Sequence, residues 1–111
     1  MFFSMVLGFT VNVFSVKGGK IPFDEASLSD NMFTADCKKF KEEGFEEKMC
    51  SNSSPLSSID VASTDALYMP GGHACYGDLL DDAVTAVINQ FVAAGKVVAS
   101  DCHGAYVTNV N

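Results

Sequence analysis

The most regular hydrophobic pattern in the chain lies between residues 78 and 94, where apolar side chains recur three and four positions apart. The positions on this stripe are Leu80, Ala83, Val84, Val87, Ile88 and Phe91. Acidic residues occupy the first turn, and Gly95 stands where helix C-termini favour glycine. The spacing predicts an amphipathic helix from Asp78 to Ala94.

Short apolar runs predict a strand on each side of that helix. The run "ALYM" (Ala66–Met69) stops at Pro70 and a glycine pair, and "KVVAS" (Lys96–Ser100) has the composition of a strand buried on both faces. Strands that alternate with helices favour a parallel sheet covered by helices. The expected fold class is therefore α/β.

The first half of the chain carries weaker patterns. The β-branched and aromatic run "FTVNVF" (Phe9–Phe14) predicts a buried strand. The apolar stretch before Lys17 lacks a basic start and a small-residue cleavage motif, and is shorter than the ~20 residues that span a bilayer. We therefore favour a strand over a targeting or membrane segment. Residues 31–49 give a moderate helical signal, polar residues 50–58 predict a connection, and residues 1–111 are expected to form one domain.

Composition and charge narrow the function. The 111 residues are 48% hydrophobic and 19% charged, which is typical of a globular protein. The net charge of -7 disfavours nucleic acid as a partner, because a phosphate backbone requires a basic surface. Four cysteines match no zinc-binding spacing and follow no secretion signal, so we interpret them as cytoplasmic thiols. No metal, cofactor or membrane partner is expected.

The candidate chemistry lies at "SDCHG", just after the second predicted strand. Reactive groups in open α/β sheets stand at the carboxyl ends of strands, where Cys102 is placed. A sharp strand-to-helix turn requires small residues two positions before and after a nucleophile, and these positions hold Ser100 and Gly104. The alternative is a cysteine buried at a strand end beside a surface histidine. The spacing leaves both interpretations open.

The motifs "YMPGGHACYGDL" and "AAGKVVASDCHG" together resemble the ThiJ/PfpI superfamily, which has a class I glutamine amidotransferase-like fold, in its glyoxalase III and heat-shock chaperone branch. The resemblance extends over nearly the whole chain from Gly8. It implies a flavodoxin-like three-layer α/β/α domain. It also implies that Cys102 is the nucleophile, that His103 is the adjacent catalytic histidine, and that a substrate or oxyanion loop contains Gly71, Gly72 and Gly104.

The same resemblance implies conversion of methylglyoxal, a small aldehyde, to D-lactate without glutathione. In that branch one acid near the N-terminus supports the cysteine, and a second acid far downstream orients the histidine. Neither has a counterpart in this sequence. The expectation is therefore a partial domain, incomplete at both ends, whose activity is impaired.

Other functions stay open at this point. The chain could be a non-catalytic remnant, chaperone-like or redox-responsive in a stress response, that acts through an apolar sheet edge or an oxidisable Cys102. A homodimer through an unpaired sheet edge is one expected assembly. A glutamine amidotransferase would carry glycine on both sides of the turn, and Ser100 argues against that class.

Overall fold

The computed structural model describes residues 8–108, which fall into two compact units divided after Ser54. Residues 1–7, the first part of the apolar stretch before Lys17 that was considered as a targeting segment, lie outside the described residues, as do the last three residues. The expectation of a single domain over residues 1–111 stays a prediction.

Two short helices follow one another in the first unit. Helix α1 (Ala35–Glu42) begins after Thr34, whose hydroxyl oxygen accepts a hydrogen bond from the Cys37 N–H, as N-cap threonines commonly do. Helix α2 (Phe45–Cys50) starts after Gly44, which has a φ of 74°. This left-handed conformation suits glycine and ends the first helix. The moderate helical signal over residues 31–49 is thus confirmed as two helices.

The strand predicted at Phe9–Phe14 is wrong in extent. Strand β1 covers Phe14–Ser15 and pairs with β2 (Ser54–Pro55). A strand needs a partner for its backbone hydrogen bonds, and this partner is two residues long and includes a proline, which has no N–H to donate. The β-branched run therefore stays outside a sheet in spite of its composition.

The second unit contains the parallel pair that the sequence predicts. Strand β3 (Ala66–Met69) lies beside β4 (Val97–Ser100) in the register Ala66↔Val97 to Met69↔Ser100. Helix α3 (Asp82–Ala93) connects the two strands, and helix α4 (Gly104–Thr108) follows the second. This mixed helix and parallel-strand structure is α/β and compatible with a small, incomplete flavodoxin-like fold.

Single 3-10 turns occupy Glu25–Leu28 in the first unit, and Leu56–Ser58, His73–Tyr76 and Asp78–Leu80 in the second.

Helix α3 begins four residues later than its hydrophobic pattern predicts. The Asp81 carboxylate accepts a hydrogen bond from the Ala83 N–H, and the extended backbone of Asp81 marks the cap. The preceding Asp78–Leu80 segment forms a separate 3-10 turn. Several aspartates near one another can each cap a helix, so the pattern alone did not identify the first helical residue. No helix within residues 8–108 has the length and apolar character needed to cross a bilayer.

The core of the second unit is centred on α3. Four of the six residues on its predicted stripe are buried: Val84, Val87, Ile88 and Phe91. Leu80 and Ala83 are exposed instead, because they precede the helix or lie in its first turn. The prediction that β4 is buried on both faces is also wrong. Its residues alternate between exposed and half-buried, since within the described residues only one face of this strand is covered.

Replacing Phe91 with alanine tests the importance of this core. The Phe91 side chain is 0% exposed, whereas its neighbour Val92 is 61% exposed. We expect Phe91→Ala to lower the free energy of unfolding by about 3 to 5 kcal/mol, because lost transfer energy and a cavity both contribute. The control Val92→Ala should change it by less than about 0.5 kcal/mol. Urea denaturation followed by circular dichroism measures both, and equal losses would contradict this packing.

Candidate active site

Cys102 lies on a tight turn between β4 and α4. One residue separates the end of the strand at Ser100 from Cys102, and the helix begins two residues after Cys102. Its φ is 47°, and it is the only residue other than glycine with a positive φ within residues 8–108. This conformation costs of the order of 1 to 3 kcal/mol and is concentrated at functional sites. The exposed Cys102 side chain thus lies at a strained strand-to-helix turn, which is one of the two interpretations that the spacing left open.

Two glycines permit the turn to form. A β-carbon built on Gly104 would lie 2.3 Å from the Met69 carbonyl oxygen, and one built on Gly71 would lie 2.6 Å from the Cys102 β-carbon. Neither distance is possible for a real side chain in this geometry. The end of β3 therefore packs directly against the start of α4, and the glycine loop packs against Cys102. This contact is the physical reason why position 104 requires a small residue, as the sequence pattern indicates.

Asp101 joins the two strand ends. Its carboxylate accepts a hydrogen bond of 2.9 Å from the Gly71 N–H, and it lies close enough to the Tyr68 hydroxyl to raise the pKa of that group. Its backbone carbonyl accepts a 2.7 Å bond from the Gly104 N–H. In the sequence this aspartate is recognisable only as a charge beside a thiol, which opposes ionisation of that thiol. No local pattern identifies its role in holding the loop, because the loop residue that its carboxylate binds is 30 residues away.

The backbone donors of the three predicted loop glycines differ in availability. The N–H groups of Gly71 and Gly104 both donate to Asp101. Gly72 has a φ of 96° and space around its α-carbon, and its N–H has no hydrogen-bond partner within residues 8–108. Of the three, Gly72 is therefore the one whose backbone N–H can donate to a bound oxygen.

His103 lies beside the thiol and against an aromatic ring. Its Nδ1 is 3.9 Å from the Cys102 Sγ, within the longer range at which sulfur makes hydrogen bonds. The Tyr76 ring is 5.3 Å from the imidazole, centre to centre, and 6.2 Å from the ring of Tyr106. No carboxylate in the described part of the chain forms an ion pair with His103. The exposed Tyr76 ring thus packs against the imidazole, and the exposed Tyr106 ring packs against Tyr76.

A second cysteine lies below the glycine loop. Cys75 is fully buried, and its thiol donates to the Pro70 carbonyl oxygen at 3.5 Å. Burial raises the pKa of this thiol, and negative charge on Cys102 and Asp101 raises it further. The sequence suggested that Cys75 lies near the same loop. His73, a motif residue without assigned chemistry, begins the 3-10 turn that carries Cys75.

The structure thus brings Cys102, His103, Gly71 and Gly104 together at the carboxyl ends of two parallel strands, with Gly72 in the adjoining loop. Residues 8–108 contain no cluster of three or more histidine, cysteine, aspartate or glutamate side chains arranged to hold a metal ion. The chemistry available here is that of a thiol, an imidazole, and a backbone donor.

We expect Cys102 to react with iodoacetamide at pH 7 faster than Cys37 and Cys50. Cys102 is exposed beside His103, whereas Cys50 is buried and burial raises the pKa of its thiol. Cys37 is exposed but lies within helix α1, where its sulfur accepts a hydrogen bond from the Thr34 hydroxyl. Mass spectrometry of time-resolved labelling measures the three rates. Equal labelling rates for all three thiols would contradict the expectation that this turn makes the Cys102 thiol more reactive.

The variant Gly104→Ala tests whether the turn causes that reactivity. Its new β-carbon would collide with the Met69 carbonyl, so the turn must open and the labelling rate of Cys102 should change. Gly95→Ala is the matched control, because Gly95 has a φ of 68° but open space around it. This control should lose about 1 kcal/mol of stability and leave the Cys102 rate unchanged. An unaltered rate in Gly104→Ala would contradict the coupling.

The titration of Tyr68 tests the contact with Asp101. Burial, the hydrogen bond to Asp101 and the charge of Asp101 all raise the pKa of the Tyr68 hydroxyl. Asp101→Asn should lower that pKa, because the amide carries no charge, while its oxygen can still accept the hydrogen bond. Absorbance of the phenolate against pH measures the shift, with Tyr68→Phe identifying this residue among the three tyrosines.

The same pKa has a consequence for stability. A phenol whose pKa is higher in the folded state contributes stability below its unfolded pKa of about 10, and this contribution is lost as the pH rises through the folded value. Asp65→Asn is the control, and it should leave the titration unchanged. A Tyr68 titration identical in wild type and Asp101→Asn would contradict the contact.

Comparison with known proteins gives one distant similarity. The chain is 26% identical over 102 residues to protein DJ-1 homolog D of Arabidopsis thaliana, a protein of the DJ-1/ThiJ/PfpI superfamily. The match covers 92% of this chain and 26% of the relative, so the chain spans about a quarter of that protein's length. No protein-family model and no solved structure matches the sequence. The chain is therefore similar, at a distance, to the superfamily that its glycine and cysteine motifs resemble.

Proposed function

We propose that this chain supplies the nucleophile and its neighbouring groups for glyoxalase III-type chemistry, in which methylglyoxal and water become D-lactate without glutathione, and that the chain by itself is impaired in this activity. The observation that carries the proposal is the positive φ of Cys102 at a strand-to-helix turn. A strained, exposed cysteine beside an imidazole is an arrangement typical of nucleophilic catalysis. The similarity to DJ-1 homolog D supports it, because members of that superfamily include glyoxalase-like and chaperone-like proteins.

Three groups of the site would each carry out one part of the reaction. The Cys102 sulfur would add to the aldehyde carbon of methylglyoxal and form a hemithioacetal. The Gly72 N–H would donate to the oxygen that becomes negative, since Asp101 already occupies the other two glycine donors. The His103 imidazole would then move the adjacent proton between the two carbons. Addition of water to the resulting thioester releases lactate and restores the thiol.

The compartment and assembly form part of the same proposal. All four cysteines are unpaired thiols, which suits the reducing cytoplasm. The exposed apolar side of the parallel pair, with Val97 62% exposed, could be covered by a second copy of the chain.

A second candidate is a non-catalytic, redox-responsive or chaperone-like role. It is favoured by the exposed pair of aromatic rings, Tyr76 and Tyr106, and by a second cysteine, Cys75, close to the glycine loop. This candidate requires an oxidisable Cys102 but no proton transfer by His103. The two functions therefore differ in whether D-lactate is formed.

Formation of D-lactate from methylglyoxal without glutathione distinguishes them. We expect little turnover from the 111-residue chain, because no carboxylate of residues 8–108 orients His103. A longer polypeptide of the relative's length that contains this sequence should form D-lactate, and Cys102→Ser in that polypeptide should abolish it. Cys37→Ser is the matched control and should keep full activity.

Two results would contradict this proposal, and a third would favour the second candidate. D-lactate formation that survives Cys102→Ser would exclude Cys102 as the nucleophile. Robust turnover by the short chain would show that His103 needs no orienting acid. Absence of D-lactate from the longer polypeptide would favour the second candidate.

A further inference from the structure

The two cysteines of residues 55–108 lie against the same peptide unit. The Cys75 thiol donates to the carbonyl oxygen of Pro70 at 3.5 Å. The next residue, Gly71, packs on the other cysteine, because a β-carbon on Gly71 would be 2.6 Å from the Cys102 β-carbon. The Cys75 sulfur thus lies at Pro70, and the Cys102 β-carbon lies at Gly71. The remaining cysteines, Cys37 and Cys50, belong to the other compact unit.

The two thiols have opposite environments. Cys102 is exposed, has a strained backbone and lies 3.9 Å from an imidazole nitrogen. Cys75 is 0% exposed, and an oxidant in solution does not reach it directly. Burial raises the pKa of the Cys75 thiol, and negative charge at the position of Cys102 raises it further. The first encounter with an oxidant therefore takes place at Cys102.

We propose that Cys102 and Cys75 form a peroxide-responsive pair in which Cys102 is oxidised first and Cys75 then closes an intramolecular disulfide. In the first step the Cys102 thiolate attacks hydrogen peroxide. A sulfur–oxygen bond forms, the oxygen–oxygen bond breaks, and the departing hydroxide takes a proton to become water. Sulfur loses two electrons to the peroxide and becomes a sulfenic acid.

In the second step the Cys75 sulfur attacks the Cys102 sulfur. The sulfur–sulfur bond forms as the sulfur–oxygen bond breaks, and the departing hydroxide takes the Cys75 proton as a second water molecule. The sum is two thiols and one peroxide giving one disulfide and two waters.

The segment that carries Cys75 can supply the required movement. Cys75 lies in a single 3-10 turn, His73–Tyr76, between Gly72 and Gly77. Gly72 has a φ of 96°, and Gly77 has a φ of -137° with a ψ of -112°, a combination unfavourable for other residues. Two glycines with wide conformational freedom thus bracket one short turn. Rotation of this turn would bring the Cys75 sulfur toward Cys102 while β3 and β4 stay paired.

This pair is independent of the proposed glyoxalase reaction, because its formation requires neither an aldehyde nor proton transfer by His103. Its test therefore contains no methylglyoxal and measures only the state of the cysteines.

The experiment treats the reduced 111-residue chain with hydrogen peroxide, blocks the remaining thiols with N-ethylmaleimide, and maps peptides without reduction. Trypsin leaves Cys50 and Cys75 in one peptide, since no lysine lies between residues 48 and 96. The mapping therefore uses Cys50→Ser beside the wild type. In Cys50→Ser, a link between the peptides of residues 49–96 and 97–111 identifies Cys75–Cys102 without ambiguity. The expected result is this link as the main product in both proteins.

The variant Cys75→Ala provides the second measurement. Without Cys75, the Cys102 sulfenic acid should proceed to sulfinic acid, and its yield should rise several-fold over that in Cys50→Ser. The mapping of Cys50→Ser decides the question even where Cys75→Ala does not fold. A predominance of Cys102 sulfinic acid in Cys50→Ser would overturn the proposal. Links from Cys102 to Cys37, or between two chains, as the main product would overturn it as well.

Discussion

The candidate site depends on the close approach of two glycines to neighbouring backbone. Parallel pairing of β3 (Ala66–Met69) with β4 (Val97–Ser100) sets Met69 opposite Ser100, so the chain leaves both strands at the same level. At this level the first residue of α4 packs on the Met69 carbonyl, and Gly71 packs on Cys102. Neither contact has room for a β-carbon. The strained turn at Cys102 is thus held by contacts that a larger residue at either glycine would remove.

Asp101 adds an electrostatic element to this packing. A carboxylate next to a nucleophilic thiol opposes its ionisation, and the sequence alone indicates an unfavourable charge. In the structure the same carboxylate accepts a hydrogen bond from the Gly71 N–H and lies near the Tyr68 hydroxyl, whose pKa it raises. It therefore fixes the glycine loop against the turn. The Asp101 carboxylate thus holds the glycine loop in a defined geometry, and it also places a negative charge close to Cys102 and Cys75.

Local sequence patterns predicted the elements whose formation depends on local interactions. The α3 stripe, the breaks at Pro70 and Gly95, and the turn after Ser100 all follow from spacing and from the properties of proline and glycine. Features that depend on distant partners were missed or wrong. The strand predicted at Phe9–Phe14 does not form over that range because its partner strand is only two residues long. The role of Asp101 depends on a hydrogen bond to Gly71, which is 30 positions away. The aromatic contact of Tyr76 with His103 likewise joins two separate loops.

The central claim is that the glycine loop lies directly on Cys102, and the nuclear Overhauser effect measures this contact most directly. With uniformly labelled protein in its reduced form, the β-protons of Cys102 should give strong cross-peaks to the α-protons of Gly71. The α-protons of Gly72, which have no such neighbour, should give weak ones or none. Absence of the Cys102–Gly71 cross-peaks, in protein whose β3–β4 pairing is intact, would contradict the account.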